Sequence, residues 1–555
     1  MARTTKDIQA PLFARLRRRA TSDGERRRRR GPPSTAGLLL LVVICAAYFV
    51  PRGISWNPDT HIFLTASIVD RGTLNIDPLA PYTGDVAFAN GHYYADKAPG
   101  LSLAAIPVYA LLKWTLLGGH PYTALFSVPE AQRSDFLVRY LLAIVYAAIP
   151  TGLLAGLLFG FLARFGLSAP WRGGVALTYA LGTFARPFAA EFFSHQLAAL
   201  LVFAAFLVLF RVRRTELRDG FAVGAGLLLG YAVITEYPTA LIAAALAVYA
   251  LSTRGRGWRL GGLLAAGAAA PLLVGALYNA LAFGGPLSQG YAHLAGPEQL
   301  RVGQASGFMG ITYPHLEALW QTTFGPYRGM FLFAPVLLLA IPGFVALWRM
   351  AGWRAETLLW LAIVCGYFLF SISYFQWDGG HSMGPRQFLP ALPFVMLPLA
   401  ALLRAGADRR WHLAALALGA WSLVVVELAT AVGALFNPIY DSPLTEWVLP
   451  RLAGYMPGSG TGAPTGGKLV VALIQHAPLF LTARLDNNWG LVFGLPGLLQ
   501  LLPLALLCAA LIFWHWRRTL GYCRLATARR AAAGEESGEA WERGARARSA
   551  GLPGS

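Results

Sequence analysis

The chain has 555 residues, of which 56% are apolar and 13% charged, with a mean hydropathy of +0.51. Soluble domains average about 25% charged residues, so this balance excludes an ordinary soluble enzyme and indicates one polytopic membrane domain. The net charge of +19 does not indicate nucleic acid. Its Arg residues cluster in the run from Arg26 to Arg30 and in short links such as Arg211, Arg213 and Arg214, or Arg404, Arg409 and Arg410, which is the positive-inside pattern of membrane proteins.

In chain order, residues 1–35 read as a disordered basic cytoplasmic tail. No cleavage site follows the first apolar run at 36–54, so it reads as a retained span. Further apolar segments lie at 101–118, 137–165, 171–184, 197–210, 221–234, 238–251, 260–283, 329–348, 356–374, 387–403, 412–435 and 490–516. Residues 517–555 read as a second disordered cytoplasmic tail, leaving 36–516 as the membrane-embedded domain. If every segment crossed, the two tails would lie on opposite sides. The Arg-bearing links must all lie inside, so 101–118, which carries Pro107 and Lys113, is expected to make no net crossing. Twelve true spans remain. The weakest pair flanks Glu236-Tyr237-Pro238, where each arm is short for a bilayer. The elaborated loops, 52–136, 185–196, 284–328, 375–386 and 436–489, then all face outward. Cys45, Cys365 and Cys508 lie in apolar runs and Cys523 in the basic tail, without metal or disulfide spacing.

Polar side chains at a bilayer boundary are costly and mark candidate chemistry. Asp59, in "NPDTHIFLTASIVDRG", stands just past the first span at the start of an expected interfacial helix; an acidic residue there serves equally as a helix cap. His61, Asp70 and Asp77 are weaker candidates, and Asp70 reads as solvated surface. "HYYADKAPG" holds Lys97, one of only four Lys against 42 Arg. A compact ammonium suits a phosphate oxygen, and Asp96 beside it suits a cation; an exposed ion pair is the plainer reading. In "FARPFAAEFFSHQ", Glu191 and His195 would share a helix face at four-residue spacing, able to bind a divalent ion or hydroxyls or simply each other. "YFQWDGGHSMGPRQF" places Asp378, His381 and Arg386 at the outer mouth of two spans, and "FGPYRGMFLF" places Arg328 likewise. Either Arg can hold a phosphate bidentately or merely anchor the interface. "GAPTGGK" at 462–468 begins like a phosphate-binding loop. Leu469 stands where Ser or Thr is needed and no strand precedes it, so that reading is set aside.

Together, the first-loop Asp, the helix ending in Gly, the "Y-x-D-K-x-P-G" element at 94–100, "GPYRGMFLFAPVLLL" and "W-D-G-G-x-S-x-G-P-R" resemble the bacterial GT-C glycosyltransferases. These use polyprenyl-phosphate sugars and include protein O-mannosyltransferases and aminoarabinose transferases. The resemblance covers about 36–515. It implies an all-α polytopic membrane protein, a GT-C-like helical bundle of about twelve transmembrane helices with interfacial helices in the first outer loop. It implies inverting transfer of a sugar from a polyprenyl-phosphate donor to a glycan, lipid or protein acceptor at the extracytoplasmic face of a bacterial cytoplasmic membrane. Asp59 matches the family's general base or metal contact, and Glu191 its second acidic position, with Glu for the commoner Asp. Lys97, Arg386 and Arg328 suit the donor phosphate, while Asp96, His195, Asp378 and His381 stand as substrate or metal contacts, with a divalent cation left open. Two alternatives stand beside it. A lipid-linked oligosaccharide polymerase or ligase would work through loop 436–489. A transporter would need polar groups at mid-membrane, where Glu427 and Asn279 are the main intruders.

Overall fold

The computed structural model describes residues 33–50, 55–126, 132–404, 406–455, 483–486 and 488–513. The tail expectations at 1–32 and 517–555, and the "GAPTGGK" segment, lie outside the described residues. Leu38–Leu502 forms one compact unit.

Among the described residues, five helices are long and apolar enough to cross a membrane: Asp135–Phe165, His195–Arg213, Gly257–Phe283, Arg354–Ser373 and Arg409–Ala431. Seven shorter apolar helices of 10–17 residues accompany them, which makes the protein helical and multi-pass. Several of the twelve expected spans are short or interrupted, and the breaks have local causes. In the segment 221–251 the break is at Glu236, which adopts an extended conformation (φ −152°, ψ 100°) ahead of Tyr237-Pro238. The first long helix passes through a π turn at Ile144–Ala148 just before Pro150. A proline nitrogen cannot donate to the carbonyl four residues back, and the wider turn accommodates that loss.

The elements around the first outer loop are α1 (Pro33–Ala47), α2 (Trp56–Arg71), β1 (Val86–Ala89), β2 (His92–Ala95), α3 (Gly100–Thr115) and α4 (Gln132–Ala143). α2 ends as its sequence indicates. Gly72 takes φ +65° and its N–H bonds back to the Ile68 carbonyl, the left-handed cap that glycine permits. β1 and β2 pair antiparallel with Val86 opposite Ala95, turning on Asn90-Gly91, both at positive φ. An Asn-Gly pair between strand formers is a strong hairpin signal; reading the stretch only for its charged residues passes it over. Residues 290–296 lie along this hairpin. Ala295 N–H donates to the Val86 carbonyl at 2.9 Å, and a Cβ on Gly290 would sit 2.7 Å from the Asp96 carbonyl oxygen. Only glycine allows that approach.

Beneath the hairpin, α2 and α3 share a core of Ile62, Phe63, Leu64, Leu101, Ala105 and Tyr109. The bundle continues with α5 (Ala169–Leu181), α6 (His195–Arg213), α7 (Phe221–Thr235), α8 (Ala240–Leu251) and α9 (Gly257–Phe283). α7 and α9 cross at backbone contact, since a Cβ on Gly226 would fall 2.0 Å from the Leu264 carbonyl oxygen. Small residues permit such crossings in membranes. α3 is fixed to the same layer by Tyr231, whose hydroxyl donates to the Gly100 carbonyl at 2.8 Å.

Candidate active site

One cavity of about 320 Å³ opens where the first loop meets the Glu236 break between α7 and α8. Its polar lining comes from Asn57 and His61 on α2, Lys97 after β2, Ser194 and His195 at the start of α6, Glu236, and Arg386 and Gln387. Phe308, Met309, Ile311, Leu241 and Phe370 supply an apolar wall. A mainly apolar pocket with a few convergent polar groups is the usual form of a small-molecule site.

The extended turn that follows β2 brings Lys97 to this cavity. Its ammonium sits 2.7 Å from Asp96 and 3.1 Å from Asp85, with the Tyr291 ring 5.4 Å away. Burial would strip the charge from this Lys, but the carboxylates of Asp85 and then Asp96 outweigh it and hold the ammonium well above its ordinary range. Burial lifts Asp96 to about 6, against the pull of Lys97. The plainer expectation of an exposed ion pair is therefore corrected: Lys97 is a mostly enclosed cation between two carboxylates. Arg386 lies with its guanidinium 5.6 Å from the centre of the Phe193 ring. His61, on the buried face of α2, lies 3.2 Å from the Ser102 hydroxyl. Burial, aided by the charge of Lys97, lowers it to about 3 and keeps it neutral.

Glu236 is the residue that the sequence reading missed as chemistry. Ser194 donates its hydroxyl to Oε2, and His195 Nδ1 approaches the same oxygen at 3.0 Å. Burial alone would raise the carboxyl. The neighbouring imidazole, the Ser194 hydroxyl and Arg386 together hold it down at about 2, so it stays anionic. The signal was present: a lone acidic residue with Tyr-Pro interrupts an otherwise apolar pair of helices.

The other expected site residues lie elsewhere. Asp59 is not the cap of α2, since the helix starts at Trp56 after Ser55. Its fully buried carboxylate pairs with Arg139 of α4, which also holds Asp135 through its Nε at 2.9 Å from each carboxylate oxygen. Burial raises Asp59 to about 6 despite Arg139. Asn57 and His61 of the same helix reach the cavity, whereas Asp59 is not among its lining residues. Glu191 and His195 do not share a helical face, because residues 189–194 are not helical and α6 begins only at His195. Glu191 is buried, and His195 meets Glu236 instead. Arg328 is completely buried and spends its guanidinium on backbone: Nε donates to the Asp378 carbonyl at 3.1 Å and Nη2 to that of Gly380 at 2.8 Å. Asp378 accepts the Tyr327 hydroxyl at 3.1 Å, and His381 is exposed. Arg328 and Asp378 thus shape the 378–380 turn and are not part of the cavity lining. Asp70 is not solvated surface. It accepts from the Tyr109 hydroxyl at 2.9 Å and the Tyr122 N–H at 2.8 Å, and pairs with Lys113 at 2.9 Å.

For the divalent cation left open by the resemblance, the residues present do not fit. Among the described residues no three His, Cys, Asp or Glu side chains converge to hold a metal. The nearest carboxylates, Asp85 and Asp96, are already engaged by Lys97. Chemically, the cavity offers two cations, Lys97 and Arg386, suited to an anion, and His195, Glu236 and Ser194, able to bind or deprotonate a hydroxyl.

No protein-family model matches the chain, and no match is found among curated proteins. Among solved structures it is similar to the oligosaccharyltransferase of Archaeoglobus fulgidus, crystallised with a disulfide-tethered acceptor peptide containing the NVT sequon. That likeness has 12% identity and a TM-score of 0.46, covering 76% of this chain and 57% of that one. The chain thus spans a little over half the length of that protein.

Proposed function

We propose that the protein transfers a sugar from a polyprenyl-phosphate donor to an acceptor hydroxyl at the outer face of a bacterial cytoplasmic membrane, with inversion. The observation that carries this reading is the meeting of Lys97 and Arg386, remote in sequence, in one cavity with a broad apolar wall. Cations fixed where charge develops favour a departing phosphate, and an apolar wall suits an isoprenoid chain beside it. In this reading the donor phosphate lies against Lys97 and Arg386. The acceptor oxygen attacks the anomeric carbon from the opposite side, and the bond from that carbon to the phosphate oxygen breaks with its electrons going to the phosphate. Asp59, buried on Arg139, holds α2 in place, so that Asn57 and His61 keep their positions at the cavity. No nucleotide site is needed because the donor is already activated.

The test is transfer from synthetic polyprenyl-phosphate hexoses and pentoses in detergent-opened membranes that supply the host's acceptors. Arg386→Lys keeps the charge and loses the planar fork. Hydrogen bonds to charged groups contribute about 1.5–3 kcal/mol each, so donor use should fall roughly 10–100-fold. Wild-type activity in that variant would remove Arg386 from the phosphate site.

The sidedness in this reading rests on the arginine links. Both tails lie in the cytoplasm and α3 does not cross the membrane. A cysteine placed at Thr123 should react with a membrane-impermeant thiol reagent from outside, as should one at the exposed Tyr82. Labelling at Tyr82 alone would contradict a non-crossing α3.

The transporter alternative rests on Glu427 and Asn279. Glu427 pairs with Arg186, whose Nε lies 2.7 Å from it. The loop that a polymerase or ligase would use falls largely at 456–482, outside the described residues.

A further inference from the structure

His195 is a buried histidine whose two ring nitrogens make no aligned hydrogen bond. Its side chain is 6% exposed, and it lines the cavity. The ring is clamped by aromatic neighbours. It stacks on Phe193 at 5.9 Å between centroids with an interplanar angle of 15°, and meets Phe188 edge-on at 5.7 Å. An unpaired polar group inside a protein typically costs about 1–3 kcal/mol. Nδ1 has Glu236 within reach, but Nε2 has no partner, and a buried ring nitrogen usually has one.

Glu236 serves the Nδ1 side. Its carboxylate is 3.0 Å from His195 Nδ1 and is itself pinned by the Ser194 hydroxyl. A carboxylate at one ring nitrogen selects the tautomer that carries its proton there and leaves the other nitrogen as a base. We infer that His195 accepts the proton of the acceptor hydroxyl through Nε2, and that Glu236 is its positioning residue. This deepens the transferase reading and rests on it.

The step balances. The acceptor oxygen forms its bond to the anomeric carbon as the bond from that carbon to the phosphate oxygen breaks. The electron pair leaves with the polyprenyl phosphate, next to Lys97 and Arg386. The hydroxyl proton passes to Nε2, and the resulting imidazolium is held by the Glu236 carboxylate until water removes the proton. Lys97 and Arg386 thereby serve the leaving group and His195 with Glu236 the nucleophile, Arg386 lying over the same Phe193 ring on which His195 stacks. Asp59 and Glu191 are not among the lining residues.

Transfer from the same synthetic donors gives the test, with kcat and donor KM measured separately across pH. His195→Gln should lower kcat by about 10²–10⁴-fold, the usual worth of a general base, while donor KM stays near wild type because the phosphate side is intact. Glu236→Gln should lower kcat and also move the acid limb of its pH profile to lower pH, since the imidazolium loses its anionic partner. The charged and titratable groups around the ring, Lys97, Arg386, His61, Tyr291 and Tyr374, are unchanged in both variants. A purely structural Glu236 would lower activity without moving that limb, and this result would overturn the dyad. So would a His195→Gln protein within a few-fold of wild-type kcat, while leaving the transferase reading in place. Wild-type protein that transfers from none of the donors would overturn the transferase reading, and the dyad with it.

Discussion

Replacing Arg139 with Met is expected to destabilise the protein by about 3–5 kcal/mol, the typical cost of removing one partner from a buried ion pair. The guanidinium is 5% exposed and serves Asp59, which is fully buried, and Asp135. Met fills much the same volume, so the loss reports charge and not a cavity. Adding Asp59→Asn to Arg139→Met should recover a large part of the loss, because the deeper orphaned charge disappears; residues sharing one network are not additive. Thermal unfolding of detergent-purified protein measures both. If the single variant melts like wild type, Asp59 and Arg139 are not a structural pair, and Asp59 returns as a catalytic candidate.

The same pair gives a pH signature whose sign is fixed. Burial lifts Asp59 from an unfolded value near 3.8 to about 6. A carboxyl raised by folding contributes its stability at low pH, where it is protonated in both states, and loses it as pH rises through about 6. The melting temperature of wild type relative to Asp59→Asn should therefore fall between about pH 4 and pH 6 and level off above.

How much could be read beforehand depended on whether a residue's role was local. α2 and its end at Gly72 were legible because periodicity and a left-handed cap are written within a few residues. Lys97 and Arg386 stood out because a rare Lys and a Gly-flanked Arg are visible without knowing their neighbours, and the fold brings both to one cavity. His195 was legible as a ligand-type residue, but its partner was not. Helical spacing pointed to Glu191, whereas the non-helical link 189–194 releases that constraint and the chain supplies Glu236 from the next pair of helices. Arg139 was hidden differently. It lies inside an apolar stretch, and its value comes from Asp59, a partner 80 residues away. Long-range pairing of this kind leaves no periodic trace, so an acidic residue near a helix start reads as a cap. The Asn90-Gly91 turn is equally local, since both residues take positive φ between two short strands.

Lys97→Met should have the largest effect on function and a large effect on stability, and the two can be separated. The ammonium is shared by Asp85 and Asp96 at 3.1 and 2.7 Å, and all three side chains are at least 85% buried. Removing it leaves two like charges close together in a poorly solvated place, for which about 3–5 kcal/mol is the expected cost. One of the carboxyls would take up a proton instead of bearing that repulsion. Stability should accordingly recover in Lys97→Met with Asp96→Asn, which removes the charge nearer to the ammonium. Sugar transfer should not recover, because no other side chain replaces the ammonium on its side of the cavity. Restored melting temperature without restored transfer is the outcome that assigns Lys97 to the departing phosphate. If transfer returns along with the fold, the lysine serves only to hold the hairpin to the turn before α3, and Arg386 alone would have to carry the phosphate charge.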